Sequence, residues 1–231
     1  MNGVGEKMKE EKHVVIVFPH PDDESFGTSG IIKKYREQGV PVTYLCGTLG
    51  EMGRNMGTPP FANRETLRDF REVELKDACD FLDINYEVLG FRDKTIEFEK
   101  VEDAAAVVKE ALDRIEPSLV ITHYPEHGVH PDHNALGVAT IEAVRQMDPA
   151  ERPTVWAAAI THNYKEELGE PDVVFEVEDF NHKLQAITKH KSQAEGLLEQ
   201  MENDALKNDE ALQALKERLG TEQFYIWQFE D

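Results

Sequence analysis

VVIVFPHPDDESFGTSG, residues 14–30, opens with five apolar residues and breaks at once into a histidine, two aspartates and a glutamate. A run that short and that uniformly apolar suits a parallel strand covered by helices on both faces, because neither of its sides meets water. The following residues, Ser25 to Gln38, read as a helix stopped at Gly39. Strand, polar turn and helix make one βα unit. In sheets built from such units, ligands bind outside the carboxyl ends of the strands, which is where this turn lies.

The same alternation continues along the chain. VPVTYLCGTLG (40–50) reads as a second strand, residues 65–82 as an amphipathic helix, NYEVLGF (85–91) as a strand, Val101 to Ile115 as a helix and PSLVITHYP (117–125) as another buried strand. A helix is predicted from about Asn134 to Gln146. Beyond it, VWAAAITHN (155–163) and VVFEV (173–177) read as strands, residues 181–219 as charged and helical, and QFYIWQF (223–229) as a strand or packed aromatic tail. The pattern predicts an α/β fold, a mainly parallel sheet with helices on both faces.

Composition narrows the function. With 25 Lys and Arg against 46 Asp and Glu, the net charge of −21 repels phosphate backbones and anionic headgroups, so neither nucleic acid nor membrane is expected as a partner. The apolar runs at Val14 to Phe18 and Val155 to Ile160 fall far short of the roughly 20 residues of a spanning helix. MNGVGEKMKEEK lacks the apolar core of a signal peptide, which places the protein in the cytoplasm. Cys46 and Cys79 are too few and too far apart for a disulfide framework and read as small buried hydrophobes. No linker or repeat divides the 231 residues, so one domain is expected.

Two clusters carry the chemistry. His20, Asp22, Asp23 and Glu24 follow the first strand; HGVHPDH (127–133), with His130, Asp132 and His133, follows a later one. Alone, the first could be acids capping a helix. Together, two His-Pro-Asp tripeptides at two strand ends of one sheet can converge on one crevice. Two histidines and a carboxylate, with a fourth position left to water, form the donor set of a catalytic zinc site, and the same set holds iron(II). Adjacent Asp22 and Asp23 cannot easily point the same way, so one can bind metal while the other acts as general base toward water. The spare histidine of the second cluster, positioned by Asp132, suits stabilisation of a tetrahedral oxyanion.

PHPDDE with the later HPDH resembles the LmbE-like N-acetylglucosamine deacetylases, a zinc hydrolase family that includes the phosphatidylinositol-glycan, mycothiol and bacillithiol deacetylases. The resemblance implies that His20, Asp23 and His133 ligate the metal, that Asp22 is the general base, and that His130 stabilises the oxyanion. It also implies a Rossmann-like catalytic core over residues 13–195, leaving 196–231 as a helical and aromatic extension. REVELKDACDFL (71–82) looks like the family's Arg-x-x-Glu-x-x-x-Ala-x-x-x-Leu helix, whose arginine, here Arg71, would face the substrate, with Arg68 its nearest rival. KLQAITKHKSQ (183–193) resembles the family's downstream His-x-Ser-Gln segment, which also reads as a helix packing element.

TLGEMGRNMGTPPFANRETL (48–67), GFRDKTIEFE (90–99) and YPEHGVHPDH (124–133) look most like the bacillithiol branch, implying hydrolysis of the acetamide of N-acetylglucosaminyl malate by a homo-oligomer. An anionic substrate has independent support. This acidic chain keeps Arg54, Arg64, Arg68, Arg71, Arg92 and Lys94 in or beside the loops expected at the crevice, and guanidinium groups bind carboxylates bidentately. Arg54, between Gly53 and Asn55, ranks above Arg92. The alternatives are a deacetylase of another N-acetylglucosaminide, an amidase of bacillithiol conjugates, or a metal-dependent sugar-binding protein without turnover; Asp22 and His130, which binding alone does not need, argue against the last.

Overall fold

A computed structural model describes residues 10–194 and 209–230. Strands β1 (Val14–Phe18), β2 (Val42–Cys46), β3 (Asn85–Val88), β4 (Leu119–His123), β5 (Thr154–Ala158), β6 (Val173–Glu176) and β7 (Thr221–Ile226) form one seven-stranded sheet in the order β3-β2-β1-β4-β5-β7-β6. The first five run parallel. β7 is antiparallel to both β5 and β6.

Alternate residues of β1 feed two cores, as the two-residue period of a strand demands. Val14, Ile16 and Phe18 pack with Ile31, Ile32 and Tyr35 of α2 (Ser29–Glu37) and Leu75 and Cys79 of α3 (Leu67–Leu82). Val15 and Val17 face Val108 and Leu112 of α4 (Val101–Ile115) and Leu136 and Val144 of α5 (Pro131–Arg145). Strand order reverses at β1, with β2 on one side and β4 on the other, and this opens a crevice beyond the carboxyl ends of β1 and β4. Both His-Pro-Asp turns leave from those two ends.

Three elements differ from the sequence reading. The helix expected over Ser25–Gln38 is two helices, α1 (Asp23–Gly27) and α2, broken at Thr28. The Glu222 carboxylate on β7 accepts the Gly30 and Ile31 amides at 2.9 and 2.8 Å, capping the second helix from a distant part of the chain. A Cβ on Gly30 would lie 2.9 Å from Val177 Cγ2, so only glycine permits this approach. The helix expected from Asn134 begins at Pro131: proline suits the first helical turn and His130 serves as N-cap, its side chain accepting the Asp132 amide. Asp132 and His133 therefore stand on the first turn of α5. The strand expected within 223–229 is β7, and because it lies between β5 and β6 the sheet extends past the expected core boundary at residue 195.

Phe180–Ile187 (α7) and Asp209–Leu219 are helical as expected; the part of the charged helical stretch at 195–208 and the first nine residues lie outside the described residues. Tyr164–Leu168 adds a short helix, α6. No described helix is long and apolar enough to cross a membrane.

Candidate functional site

The turn after β1 is wound unusually. Asp22 adopts φ 113° and ψ −30°, a conformation that an L-residue holds only at a cost of about 1–3 kcal/mol and only when its surroundings enforce it. Its amide donates to Glu24 Oε2 at 3.0 Å, its carbonyl accepts from Ser25 and Phe26 at 2.9 and 3.0 Å, and its Oδ2 accepts from Arg71 Nη2 at 2.9 Å. The effect is to separate two neighbouring carboxylates: Asp22 turns to Arg71 while Asp23 turns to the histidines.

Asp23 Oδ2 lies 3.5 Å from His20 Nδ1, and its Oδ1 3.4 Å from His133 Nε2. The three potential ligand atoms fall within 4.8 Å of one another. Those separations are long for hydrogen bonds. One is measured to each carboxylate oxygen, so Asp23 faces both ring nitrogens, and two imidazoles with a carboxylate are the donor set of a divalent metal. The residues present therefore fit a divalent metal. The opposite nitrogen of His20 points at two carboxylates, 3.2 Å from Asp93 Oδ1 and 3.3 Å from Asp132 Oδ2, which keep the proton on Nε2 and leave Nδ1 free to ligate. Burial opposes charge on His20, but its bonds to Asp132, Asp23 and Asp93 outweigh that and hold its pKa well above the usual histidine range, so a metal binding at Nδ1 would displace a proton there. Burial likewise opposes the Asp23 anion, and His133 and His20 more than offset it.

A second trio, His20, His130 and Asp132, is also close enough to share an ion. There the carboxylate is already engaged: fully buried Asp132 accepts the Lys94 amide at 2.7 Å through Oδ2 and the Ile96 amide at 3.1 Å through Oδ1. Asp132 does hold His130, though through its backbone, whose N–H donates to His130 Nδ1 at 3.2 Å; the carboxylate is 3.9 Å away. With Nδ1 accepting, a neutral His130 carries its proton on Nε2. Burial and the nearby His20 lower its pKa and so favour that neutral form.

These groups line one cleft of about 390 Å³, together with Arg54, Lys94 and exposed Val129. Burial pushes the pKa of Asp22 up to about 6, against the opposing pull of Arg71 and with a further push from Asp23. Of the three arginines singled out, exposed Arg54 reaches the cleft, and Arg68 lines a separate depression with Glu51 and Arg92. Arg71 borders the cleft but is buried, and it donates to Gly50 O at 3.0 Å, to Pro21 O and to Asp22. Gly50, at φ +61°, makes this possible: a Cβ there would sit 2.0 Å from Arg71 Nη1.

Sequence reasoning passed over Asp93, although its GFRDKTIEFE stretch was noticed, because nothing local shows an aspartate folding back onto His20. Nor does anything local to KLQAITKHKSQ show that His190 Nε2 comes within 2.7 Å of buried Glu24. His123 stacks on His133 with ring centroids 4.1 Å apart and backs that ring, while His127 turns toward Thr161.

The family described as PIG-L, GlcNAc-PI de-N-acetylase, matches residues 15–144. A probable N-acetyl-alpha-D-glucosaminyl L-malate deacetylase 2 of Bacillus cereus is 50% identical over 222 residues, covering 95% of this chain and all of that protein. Among solved structures, an N,N'-diacetylchitobiose deacetylase from Pyrococcus horikoshii aligns with TM-score 0.69 at 24% identity, over 94% of this chain and 84% of its own. A 4-carboxy-2-hydroxymuconate hydratase from Pseudomonas putida aligns equally well, TM-score 0.69 at 20% identity over 95% and 98% of the two chains. The architecture thus houses more than one reaction, and the site must decide between them.

Proposed function

This chain belongs to the PIG-L family, and on that premise we propose that it is a metal-dependent amidohydrolase that removes the acetyl group of N-acetylglucosaminyl malate, releasing acetate and glucosaminyl malate. The observation that carries the reading is the separation of Asp22 from the Asp23, His20 and His133 trio on one rim, which puts a base beside a metal position without consuming it as a ligand. We assign His20, Asp23 and His133 as ligands of zinc, iron(II) sharing the same donor preference. When bound, the metal polarises the amide carbonyl and acidifies water.

The rest falls to the protein. Asp22, largely ionised at neutral pH with its value of about 6, accepts a proton from the attacking water. His130 Nε2–H donates to the oxygen on which charge develops, in the manner of an oxyanion hole. Water's oxygen joins the acetyl carbon, the C–N bond breaks, and the amine leaves with the proton that Asp22 took from the water, while neutral His130 keeps its own and acts only as a hydrogen-bond donor. Arg54 and Lys94, exposed at the cleft of an otherwise acidic protein, favour an anionic aglycone over a neutral sugar chain. Free, buried Cys46 and Cys79 suit a reducing cytoplasm.

The test is acetate release from N-acetylglucosaminyl malate and, in parallel, from N-acetylglucosamine, after chelation and zinc replacement. Zinc-dependent release favouring the malate compound is expected; zinc binding without release from either would overturn the reading.

A further inference from the structure

The segment His190–Gln193, far from the metal position in sequence, touches the supports of Asp22 and the loop that carries Arg54. His190 is fully buried, and its Nε2 lies 2.7 Å from Glu24 Oε1, which also accepts Ser25 Oγ at 2.6 Å. The other oxygen of Glu24 accepts the Asp22 amide. His190 Nδ1 has no hydrogen-bond partner among the described residues, so the ring is oriented through Nε2, by the short Glu24 contact and a longer one of 3.3 Å to Ser25 Oγ. Two residues on, Ser192 clamps Glu74 of α3 with both its amide and its hydroxyl, each at 2.7 Å. Glu74 stands one turn after Arg71, which grips the Asp22 carboxylate.

The next residue faces another way. Gln193 Nε2 donates to Asn55 O at 3.2 Å, and its Oε1 would lie 3.1 Å from a Cβ on Gly53. Gly53 and Arg54 line the cleft. One short segment therefore braces the two groups that enforce the strained Asp22 backbone and carboxylate, and separately braces the loop that carries Arg54.

We propose that His190–Gln193 is a positioning strut with two outputs: His190 and Ser192 set Asp22 for the turnover step, and Gln193 sets the Gly53–Asn55 loop for capture of substrate. The proposal rests on Asp22 being the base in the hydrolysis proposed above. No residue of the strut touches the reacting atoms.

The test compares His190→Gln, whose amide nitrogen can occupy the Nε2 position, with His190→Asn, whose amide reaches only as far as Nδ1, and adds Gln193→Ala. His190→Asn is expected to lower kcat by about 10-fold or more with KM little changed, since sub-ångström displacement of a catalytic group carries penalties of up to about 100-fold. His190→Gln should restore most of that loss, and both should keep one zinc per chain. Gln193→Ala should raise KM several-fold at nearly constant kcat. Equal kinetics for Asn and Gln at 190, or a Gln193→Ala effect confined to kcat, would overturn the strut. Should His190→Asn not fold, Ser192→Ala, which removes one hydroxyl from the clamp, takes its place and should again lower kcat alone. If the wild type releases no acetate, the substrate reading fails by itself. The strut is then judged by hydrogen exchange of the Asp22 amide: it should be faster in His190→Asn than in His190→Gln, and equal rates would overturn it.

Discussion

Two adjacent aspartates face different partners because the backbone at Asp22 is forced. Asp22→Asn keeps the shape of the turn and its contact with Arg71 but removes a proton acceptor, so kcat should fall by about 10²–10⁴ with zinc content unchanged; turnover at the wild-type rate with metal bound would remove Asp22 as base. Arg71 reads in the sequence as a substrate contact, yet its guanidinium is engaged by Gly50, Pro21 and Asp22. Arg71→Ala should therefore depress kcat more than it raises KM, and Arg71→Lys should restore little, because an ammonium cannot meet three acceptors in a planar fork. A predominantly KM effect in steady-state kinetics would return the residue to the substrate. That the two His-Pro-Asp turns converge was legible from the motifs, and the family resemblance then singled out His20 and His133 as the candidate ligands. Which carboxylate faced which way was not, because that depends on φ at Asp22, a torsion set by Glu24 and Arg71.

Among the elements, α1 and α2 illustrate what local pattern misses. Residues 25–38 look helical throughout, but α2 starts afresh at Ser29, its amides taken by Glu222 of β7. Lys183 of α7 meets the same carboxylate at 2.7 Å, both side chains being almost fully buried. Removing one partner leaves an uncompensated buried charge, so Lys183→Met should lower stability by about 3–5 kcal/mol in denaturant titrations without loss of zinc. A change of a few tenths would show that the pair is not holding these elements together. The start of α5 was missed by three residues for a milder reason: histidine is an unusual N-cap, although Pro131 at the first helical position was the available signal.

At the scale of the whole molecule, the sheet core is built apart from the candidate metal position: its two apolar clusters lie on either face of β1 and do not include His20, Asp23 or His133. Chelation should accordingly abolish acetate release while far-ultraviolet circular dichroism stays native, with the melting temperature falling as bound metal is withdrawn. Collapse of the spectrum would make the metal structural. The basic groups of the cleft, Arg54 and Lys94, act over distance: the double alanine variant should raise KM for the malate compound more than for N-acetylglucosamine, and equal changes would deny them a role in choosing the aglycone.

The alternation of short apolar strands with amphipathic helices determined the fold class, and two His-Pro-Asp turns determined that ligands gather at strand ends, because hydrophobic period and residue chemistry are local properties. Only the tertiary structure decided the remainder. Asp93 reaches His20, His190 reaches Glu24 and Glu222 reaches α2 across long stretches of chain. Such pairings follow from the closing of the sheet around buried polar groups that must each find a partner, and no residue's neighbours in sequence announce which partner that is.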